Sequence, residues 1–439
     1  MTFTILAAVA LGAAGLLALS RASLGATRRT GLLLLGASAL ALVTTPAVAL
    51  LAVVAVAAAF VVDAATCRAR PALRRQAPAV LSRAVAAPFE IDADMAAPGT
   101  HLRLRQPQVP DVVVDPPEAD GHLRAQVVAR RRGRHSLPPV ATRVTGPLGL
   151  AAWYRTAGEP VDVLVYPDLP AARRLALAVR QGRFREPGRL TRGPLGLGTD
   201  FESIRDYLPD DDVRQVNWPA TQRTGRPMSN QFRVEQDRDV VCVVDCGRLM
   251  SAPIGDRTRL DAALDAVAAL SFVADEVGDR AGVIAFDDRV RRLLAPRRSG
   301  GDSVVRAVFD LEPTSVDSDF EVAFRAVGGG KRAFVAVFTD LLDEAAAAAL
   351  LDAVPLLARR HAVIVASVAD PDLKSLVRTN PSSTFDVYAA SVALDVLAAQ
   401  SRVAASLRHA GTEVLEASPE TFATACVGAY LRAKARARL

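Results

Sequence analysis

Residues 239–245 read DVVCVVD, an apolar run that ends in an aspartate. Similar runs follow it along the chain: AGVIAF (281–286), RAFVAVFTD (332–340) and HAVIVASV (361–368). Strands that are apolar at nearly every position are typical of a parallel sheet buried on both faces. The remaining sequence of this region predicts helices at 258–277, 343–359 and 419–435. Thr258 and Asp261 are placed to cap the first of these helices. Because strands alternate with helices, residues 239–439 are predicted to form a doubly wound, Rossmann-like α/β domain.

Two aspartates, Asp245 and Asp340, stand at the carboxyl ends of predicted strands. Ligands of doubly wound domains bind beyond these strand ends, so both side chains are candidate metal ligands. The simpler interpretation of Asp245 is that its carboxylate caps the turn that follows it.

The N-terminal part contains two long runs without charge, at 3–20 and 31–62. A straight helix over the second run would be about 48 Å long, whereas the hydrocarbon core of a bilayer is about 30 Å thick. We therefore expect either one tilted or kinked helix, or two short helices that fold back at 44–46. Residues 1–62 are predicted to be a transmembrane region of two or three spans. A secretory signal peptide is not expected at 1–20, because no positive segment precedes the apolar run.

Arginines are concentrated between and after the two apolar runs. Residues 63–77 are predicted to be a basic juxtamembrane linker. Since the cytoplasmic flanks of membrane helices are rich in Lys and Arg, the soluble region is expected in the cytoplasm. Residues 78–168 contain short β-prone pieces separated by turn residues, which predict a small β-sandwich. Residues 169–238 are expected to be a linker that carries a distinctive motif segment.

The bulk composition argues against several classes of function. The formal net charge is +6, but 47 acidic residues are interspersed among 53 basic ones, and no basic stripe is interleaved with aromatic residues. We therefore expect no nucleic-acid partner. The four cysteines lack the spacing of a zinc site. No Walker A sequence is present, so any nucleotide hydrolysis is expected to belong to a partner.

Several sequence motifs are distinctive: RRGRHSLPPVATRVTGPLGL (131–150), VLVYPDL (163–169), GTDFESIRDYLPDDDVRQVNW (198–218), VVDCGRLM (243–250) and FTDLLDE (338–344). On these motifs the chain resembles the domain of unknown function 58 family. The sequences of the motifs are similar to those of actinobacterial members. The resemblance implies a membrane-anchored protein with a von Willebrand factor A-like domain. It also implies a MoxR-type AAA+ ATPase as partner.

Von Willebrand factor A-like domains often hold Mg²⁺ through a D-x-S-x-S sequence, with a threonine and an aspartate from other loops. The resemblance places Asp245 at the first position and Asp340 at the distal carboxylate. The two serine positions are Gly247 and Leu249, which have no side-chain oxygen. Because Mg²⁺ requires oxygen ligands, we expect a degenerate, unoccupied site and no cofactor. The alternative is a Mg²⁺-dependent binding module at Asp245.

The motif segment combines arginine, aspartate and aromatic side chains. The candidate docking residues are Arg205, Tyr207, Asp211, Asp212, Arg214, Trp218 and Arg223. In one interpretation, ion pairs fix this segment to the α/β domain and Trp218 fills a groove. In the other, the same residues form a surface that binds a partner protein.

A hydrolase that uses Asp210–Asp212 with Arg214 is a further alternative. Adjacent carboxylates do not readily approach one substrate from opposite sides, as paired-carboxylate chemistry requires. We therefore predict a non-enzymatic, membrane-anchored scaffold or adaptor in membrane or cell-envelope assembly. Its expected partners are the MoxR-type ATPase and membrane lipid.

Overall fold

The computed structural model of the chain describes residues 23–40, 44–94, 97–186, 200–208, 216–233, 237–328, 330–341 and 344–436. Over these residues the protein is a mixed α/β fold, as the sequence predicts. The chain divides into two compact units, Met1–Val165 and Tyr166–Leu439.

The first unit combines two helices with many short strands. The helices are α1 (Arg28–Leu40) and α2 (Pro46–Thr66). The strands are β1 (Leu24–Ala26), β2 (Ala72–Gln76), β3 (Val80–Ser82), β4 (Ala87–Asp94), β5 (His101–Arg105), β6 (Val112–Asp115), β7 (Glu118–Asp120), β8 (Leu123–Ala129), β9 (Gly133–Leu137), β10 (Val140–Thr145), β11 (Ala151–Ala157) and β12 (Val161–Tyr166). The sheet orders are β1-β11-β10-β5-β7, β2-β4-β8-β6 and β3-β12-β9. Alternate residues face an apolar core, as in β8, where Leu123, Val127 and Ala129 are fully buried.

The β-rich region begins earlier in the chain than residue 78. β2 lies inside the predicted linker 63–77 and pairs with β4. β1 precedes both helices, yet it pairs with β11, with Leu24 opposite Trp153. A strand of three residues has no measurable periodicity, and β2 carries two arginines among its five residues. For these reasons neither strand was expected.

The apolar run 31–62 forms two helices that pack against each other. α1 ends at Leu40 and α2 begins at Pro46, so the structure contains the folded-back alternative. Among the described residues, one helix is long and apolar enough to cross a membrane: Ala47–Thr66, with a mean hydropathy of 2.6. The predicted span 3–20 lies outside the described residues.

A buried carboxylate fixes the end of α2 to the loop 146–151. Asp63 has no exposed surface, and its two oxygens accept hydrogen bonds from three backbone N–H groups at distances of 2.7 to 2.9 Å. The donors are Leu148, Leu150 and Ala151. A Cβ at Gly146 would overlap the Asp63 carboxylate, so this position requires glycine.

The start of α1 contacts the same loop. The Thr30 hydroxyl donates to the Leu150 carbonyl oxygen at 2.5 Å. The helical hairpin therefore leaves and re-enters the β-sheet assembly at one place. Arginines flank it there: Arg28, Arg29, Arg68 and Arg70.

The second unit is built on a six-stranded sheet. The strands of the whole second unit are β13 (Asp200–Asp206), β14 (Met228–Arg233), β15 (Asp239–Asp245), β16 (Pro253–Ile254), β17 (Arg257–Thr258), β18 (Arg280–Phe286), β19 (Val290–Arg297), β20 (Ala333–Phe338), β21 (Ala362–Val368) and β22 (Glu413–Ala417). Its helices are α3 (Leu169–Arg180), α4 (Trp218–Thr224), α5 (Arg259–Glu276), α6 (Gly301–Val308), α7 (Phe320–Val327), α8 (Glu344–Ala358), α9 (Pro371–Arg378), α10 (Thr384–His409) and α11 (Phe422–Ala435). The sheet order is β19-β18-β15-β20-β21-β22, with β19 antiparallel at one edge and the other strands parallel.

Helices cover both faces of this sheet. Phe286 of β18 packs edge-on against Phe320 of α7, with ring centroids 5.3 Å apart. Phe334 of β20 packs against Tyr430 of α11, also at 5.3 Å. Val335, the next residue of β20, belongs to the core cluster that contains Phe320. Successive residues of one strand therefore face opposite helical layers, which is why the strand is apolar throughout.

Both flanks of the motif segment are attached to the end of α11. Before the segment, Glu186 forms an ion pair with Arg432. After it, the Arg238 N–H donates to Asp279 at 3.2 Å, and Lys434 forms an ion pair with the same carboxylate at 2.6 Å. Arg432 and Lys434 belong to one helix, so both flanks of the segment are attached to the same element of the α/β domain.

Candidate functional site

Asp245 lies at the carboxyl end of β15 and is almost fully buried. Its Oδ1 accepts hydrogen bonds from the Gly247 N–H at 2.7 Å and from the Ser318 hydroxyl. Its Oδ2 accepts a hydrogen bond from the Thr339 hydroxyl at 2.6 Å. Both oxygens therefore have donors, and the Gly247 bond is the contact that the capping interpretation predicts.

Ser318 supplies a hydroxyl that the sequence motif lacks. It comes from the loop before α7, 73 residues away from Asp245 in the chain. A Cβ at Gly247 would overlap the Ser318 hydroxyl, so the two positions compete for one space. The glycine at 247 thus makes room for a hydroxyl from another loop. No local pattern marks Ser318 in the sequence, because its role depends on a long-range contact.

Asp340, the second candidate ligand, forms a buried ion pair. Arg259, the first residue of α5, lies 2.6 Å from the Asp340 carboxylate, and both side chains are less than a tenth exposed. The same guanidinium donates to the Val368 carbonyl oxygen at 3.2 Å and lies 3.8 Å from Asp370. Asp340 therefore already has a cation beside it. Sequence reasoning missed Arg259, and an arginine at the start of an otherwise apolar helix was the only signal for it.

Burial sets the protonation behaviour of both aspartates. Removal from water raises the pKa of Asp245, while its three hydrogen-bond donors act in the opposite direction. Burial likewise raises the pKa of Asp340, and the positive charge of Arg259 opposes that shift. In both cases desolvation is the larger effect, because a carboxylate in a low-dielectric interior is costly even when it is hydrogen-bonded.

A cavity of about 380 Å³ opens at this edge of the sheet. The polar and aromatic side chains that line it include Asp245, Arg248, Ser318, Phe320, Thr339 and Asp340. Within the described ranges, no cluster of three or more His, Cys, Asp or Glu side chains is arranged to hold a metal ion. The Asp245 carboxylate is hydrogen-bonded to the Ser318 and Thr339 hydroxyls. The Asp340 carboxylate is paired with Arg259. Mg²⁺ usually takes one or two carboxylates and fills its remaining positions with water, and here one of the two carboxylates already has Arg259 as its counter-ion.

Asp245→Asn is expected to stabilise the second unit relative to wild type at about pH 8, and to lose this advantage as the pH falls through the raised pKa of Asp245. Because burial raises the pKa of Asp245 above its ordinary value of 3.8, the folded state binds the proton more tightly than the unfolded state. The protonated side chain therefore favours folding, and this contribution is lost as pH rises through the raised pKa. The thermal unfolding midpoint of the detergent-solubilised full-length protein, measured across this pH range, gives the difference. Asp288→Asn, at an exposed position beyond β18, is the matched control.

The same measurement in Mg²⁺ and in EDTA tests the metal alternative. We expect equal midpoints in the two solutions, because the carboxylates are satisfied within the protein. A rise with Mg²⁺ in the wild type that Asp245→Asn abolishes would instead support the Mg²⁺-dependent binding module.

The described motif residues lie on a hairpin with a short helix in its connection. β13 pairs with β14 in antiparallel register, with Arg205 opposite Ser229. Tyr207 follows β13, Trp218 begins α4, and Arg223 lies in the last turn of that helix. The other predicted docking residues, Asp211, Asp212 and Arg214, lie outside the described residues.

Asn217 fixes the start of α4. Its Oδ1 accepts the Ala220 N–H at 2.9 Å, and its amide group donates to Asn230 Oδ1 of β14 at 2.7 Å. Pro219 lies in the first turn, where the missing N–H of proline has no cost. Asn217 thus acts as a helix cap that joins α4 to the hairpin.

Trp218 is 67% exposed, so the prediction that it fills a groove is wrong. No residue of α4 is buried, so the helix does not carry Trp218 into an apolar interior. Arg223 is exposed as well, and the hairpin also exposes Ile204 and Leu208. A large aromatic side chain on a well-capped helix, left in water, favours the partner-binding interpretation.

The fold and the two sites define a mixed α/β protein with a candidate membrane-spanning helix, an internally paired acidic site and an exposed motif helix. A family model described as "Protein of unknown function DUF58" matches residues 203–403 of the chain. This match confirms the family resemblance of the sequence motifs. It begins in β13 and ends in α10, so it includes both Trp218 and Asp245.

The chain is also similar to curated mycobacterial proteins. It is 29% identical over 217 residues to Uncharacterized protein Rv1480 of Mycobacterium tuberculosis and to Uncharacterized protein Mb1516 of Mycobacterium bovis. The matched part is 47% of this chain and 66% of each relative, slightly less than two thirds of their length.

Proposed function

We propose that this protein is a membrane-anchored adaptor with a von Willebrand factor A-like domain. It works with a MoxR-type AAA+ ATPase on membrane or cell-envelope assemblies, and it is not itself an enzyme. The observation that carries the proposal is the exposed Trp218 at the start of α4. The other features below support its separate parts.

The helical hairpin supports membrane anchoring. α2 is apolar as far as Val62, and most of its large side chains are exposed, which suits a lipid environment. Both ends of the hairpin meet the loop 146–151, so the arginines that flank it fall on one side of a membrane. Because such arginines favour the cytoplasm, the remainder of the chain is assigned to the cytoplasm.

The six-stranded sheet supports the von Willebrand factor A-like assignment. Its parallel strands have helices on both faces, and Asp245 lies at the carboxyl end of a central strand, as in the metal sites of such domains. Asp245 is hydrogen-bonded to two hydroxyls, and Asp340 is paired with Arg259. These contacts within the protein favour a domain that binds a partner without Mg²⁺. The hydrolase alternative depends on Asp210–Asp212 and Arg214, which lie outside the described residues.

Trp218 is expected to be an anchor for the ATPase. Tryptophan is favoured among the residues that dominate interface energies, since it buries a large apolar area with little loss of conformational entropy. Asn217 and Asn230 hold the helix in place before any partner arrives, which lowers the entropic cost of binding.

Trp218→Ala is expected to weaken recovery of a MoxR-type ATPase about tenfold or more in crosslinked pull-downs from membranes. Bound proteins are identified by mass spectrometry and quantified against wild type. Phe385→Ala is the matched control, because Phe385 is an aromatic residue of similar exposure on α10, outside the motif segment. Repeated pull-downs with the wild type that recover no such ATPase would remove the adaptor proposal. Equal recovery with Trp218→Ala would place the docking surface elsewhere.

A further inference from the structure

A strongly basic pocket of about 390 Å³ lies in the first unit. The residues that line it are Ser23, Arg68, Arg70, Trp153 and Arg155. Three guanidinium groups and a tryptophan ring therefore share a small volume that belongs neither to the Asp245 site nor to the motif segment.

The positive charge in this pocket is not compensated. Arg155 donates to the Arg68 carbonyl oxygen at 2.6 Å, and its guanidinium lies over the Trp153 ring, 4.2 Å from the centroid. Across the described residues, none of the three arginines forms an ion pair with a carboxylate. Burial, and then the neighbouring charges of Arg70 and Arg68, lower the pKa of Arg155. An anion would relieve this mutual repulsion.

The pocket lies at the end of the candidate membrane helix. The Trp153 indole N–H donates to the Ala64 carbonyl oxygen in the last turn of α2, at 2.9 Å. Arg68 and Arg70 follow directly after that helix, and Ser23 immediately precedes β1, which leads into α1. With α2 in a bilayer, the pocket is at the level of the lipid head groups, where tryptophan is enriched.

We infer that Arg68, Arg70 and Arg155 bind the phosphate of an anionic phospholipid head group beside the Trp153 ring. Arginine is the side chain best suited to phosphate, because its planar fork donates two parallel hydrogen bonds. Basic pockets next to membrane helices have the charge and location that anionic head groups require. The inference rests on the proposed membrane anchoring and specifies which lipids surround the anchor.

The binding test uses the full-length protein in a neutral detergent. The chain has two tryptophans, so Trp218→Phe leaves Trp153 as the only fluorescent indole. Short-chain phosphatidylglycerol is titrated in one arm, short-chain phosphatidylcholine in a second and sodium phosphate in a third. We expect a saturable change of Trp153 emission with phosphatidylglycerol, no saturation with phosphatidylcholine, and binding of inorganic phosphate at least about tenfold weaker. Inorganic phosphate binding as tightly as phosphatidylglycerol would overturn the lipid assignment, and so would equal binding of phosphatidylcholine.

Variants assign the binding to the pocket. Arg70→Gln, which removes one charge without touching the indole, is expected to weaken phosphatidylglycerol binding about tenfold, with a shallower dependence on salt. The triple variant Arg68→Gln, Arg70→Gln, Arg155→Gln is expected to abolish it. Arg130→Gln, an exposed arginine of the same unit outside the pocket, is the control and is expected to bind as before. Unchanged binding by the triple variant would refute the pocket.

Membrane fractionation of the same proteins separates this inference from the proposed function. A chain that sediments with membranes, while its triple variant still binds phosphatidylglycerol, refutes the pocket alone. A chain that remains in the soluble fraction refutes the anchoring on which both rest.

Discussion

Asp63→Ala is expected to lower the stability of the first unit by about 3–5 kcal/mol, because it leaves two buried and one partly buried backbone N–H groups without an acceptor. Asp63 is fully buried, and its carboxylate is the acceptor for the N–H groups of Leu148, Leu150 and Ala151. Hydrogen bonds to an ionised group are the stronger ones, so each loss is large. Asp63→Asn is expected to have an intermediate effect, since its amide nitrogen must face one of the three N–H donors.

Hydrogen exchange of the full-length protein measures this effect at the residues concerned. We expect amides of the loop 146–151 to exchange at least about a hundredfold faster in Asp63→Ala, as a loss of about 3 kcal/mol implies. Asp162→Ala, an exposed aspartate of β12, is the control. Unchanged protection of the loop in Asp63→Ala would show that the carboxylate does not hold the hairpin to the sheets.

Arg259→Met is expected to destabilise the second unit by about 3–5 kcal/mol near neutral pH, because it leaves the Asp340 charge buried and unpaired. Removal of one partner is the costly change, whereas removal of both charges is tolerated. Arg259→Met combined with Asp340→Asn is therefore expected to regain most of the loss. Arg325→Met, which breaks an exposed pair with Glu321 at 2.6 Å, is expected to have no measurable effect on stability.

The pH dependence of Arg259→Met provides a second check. Burial already raises the pKa of Asp340 in the wild type, and loss of the arginine is expected to raise it further. The protonated aspartate favours folding, so the deficit should shrink as pH falls through this raised pKa. Thermal unfolding of the single and double variants across pH measures both effects. A double variant no more stable than Arg259→Met, with a deficit that does not change with pH, would contradict the buried ion pair.

Local sequence signals were sufficient for the central part of the α/β domain. The four apolar runs became β15, β18, β20 and β21, because burial on both faces leaves a continuous apolar pattern. The predicted cap of α5 is also present: Thr258 accepts the Asp261 N–H at 3.1 Å, and Asp261 accepts the Thr258 N–H at 2.8 Å. Signals of this kind lie within a few residues of the elements they specify.

The edge of the sheet was harder to predict. β19 reads VRRLLAPR, with several arginines and a proline, and it lies antiparallel at the edge, where only one neighbour protects it. Such a strand lacks the continuous apolar pattern of its buried neighbours. β22 and the long helix α10 were also not foreseen.

The contacts that define the candidate site depend on distant parts of the chain. Ser318 reaches Asp245 across 73 residues, Arg259 reaches Asp340 across 81, and Asp63 reaches the loop 146–151 across 85 to 88. No spacing rule in one sequence identifies such pairs. The sequence left the exposure of Trp218 undecided for a related reason, because a sequence motif records which residues are present and not which surface covers them.

The attachment of the motif segment to the end of α11 gives it the geometry of a domain insertion. Glu186 is tied to α11 through Arg432, and Arg238 is tied to the same helix through Asp279 and Lys434, so the chain between them starts and finishes against one helix. A doubling of the length of such a loop changes its closure free energy by only about 0.6 kcal/mol. The segment that carries Trp218 can therefore diverge in length and sequence among relatives, while the sheet that carries Asp245 keeps its register. Changes in the exposed motif helix and changes in the stability of the sheet can thus occur separately in this protein.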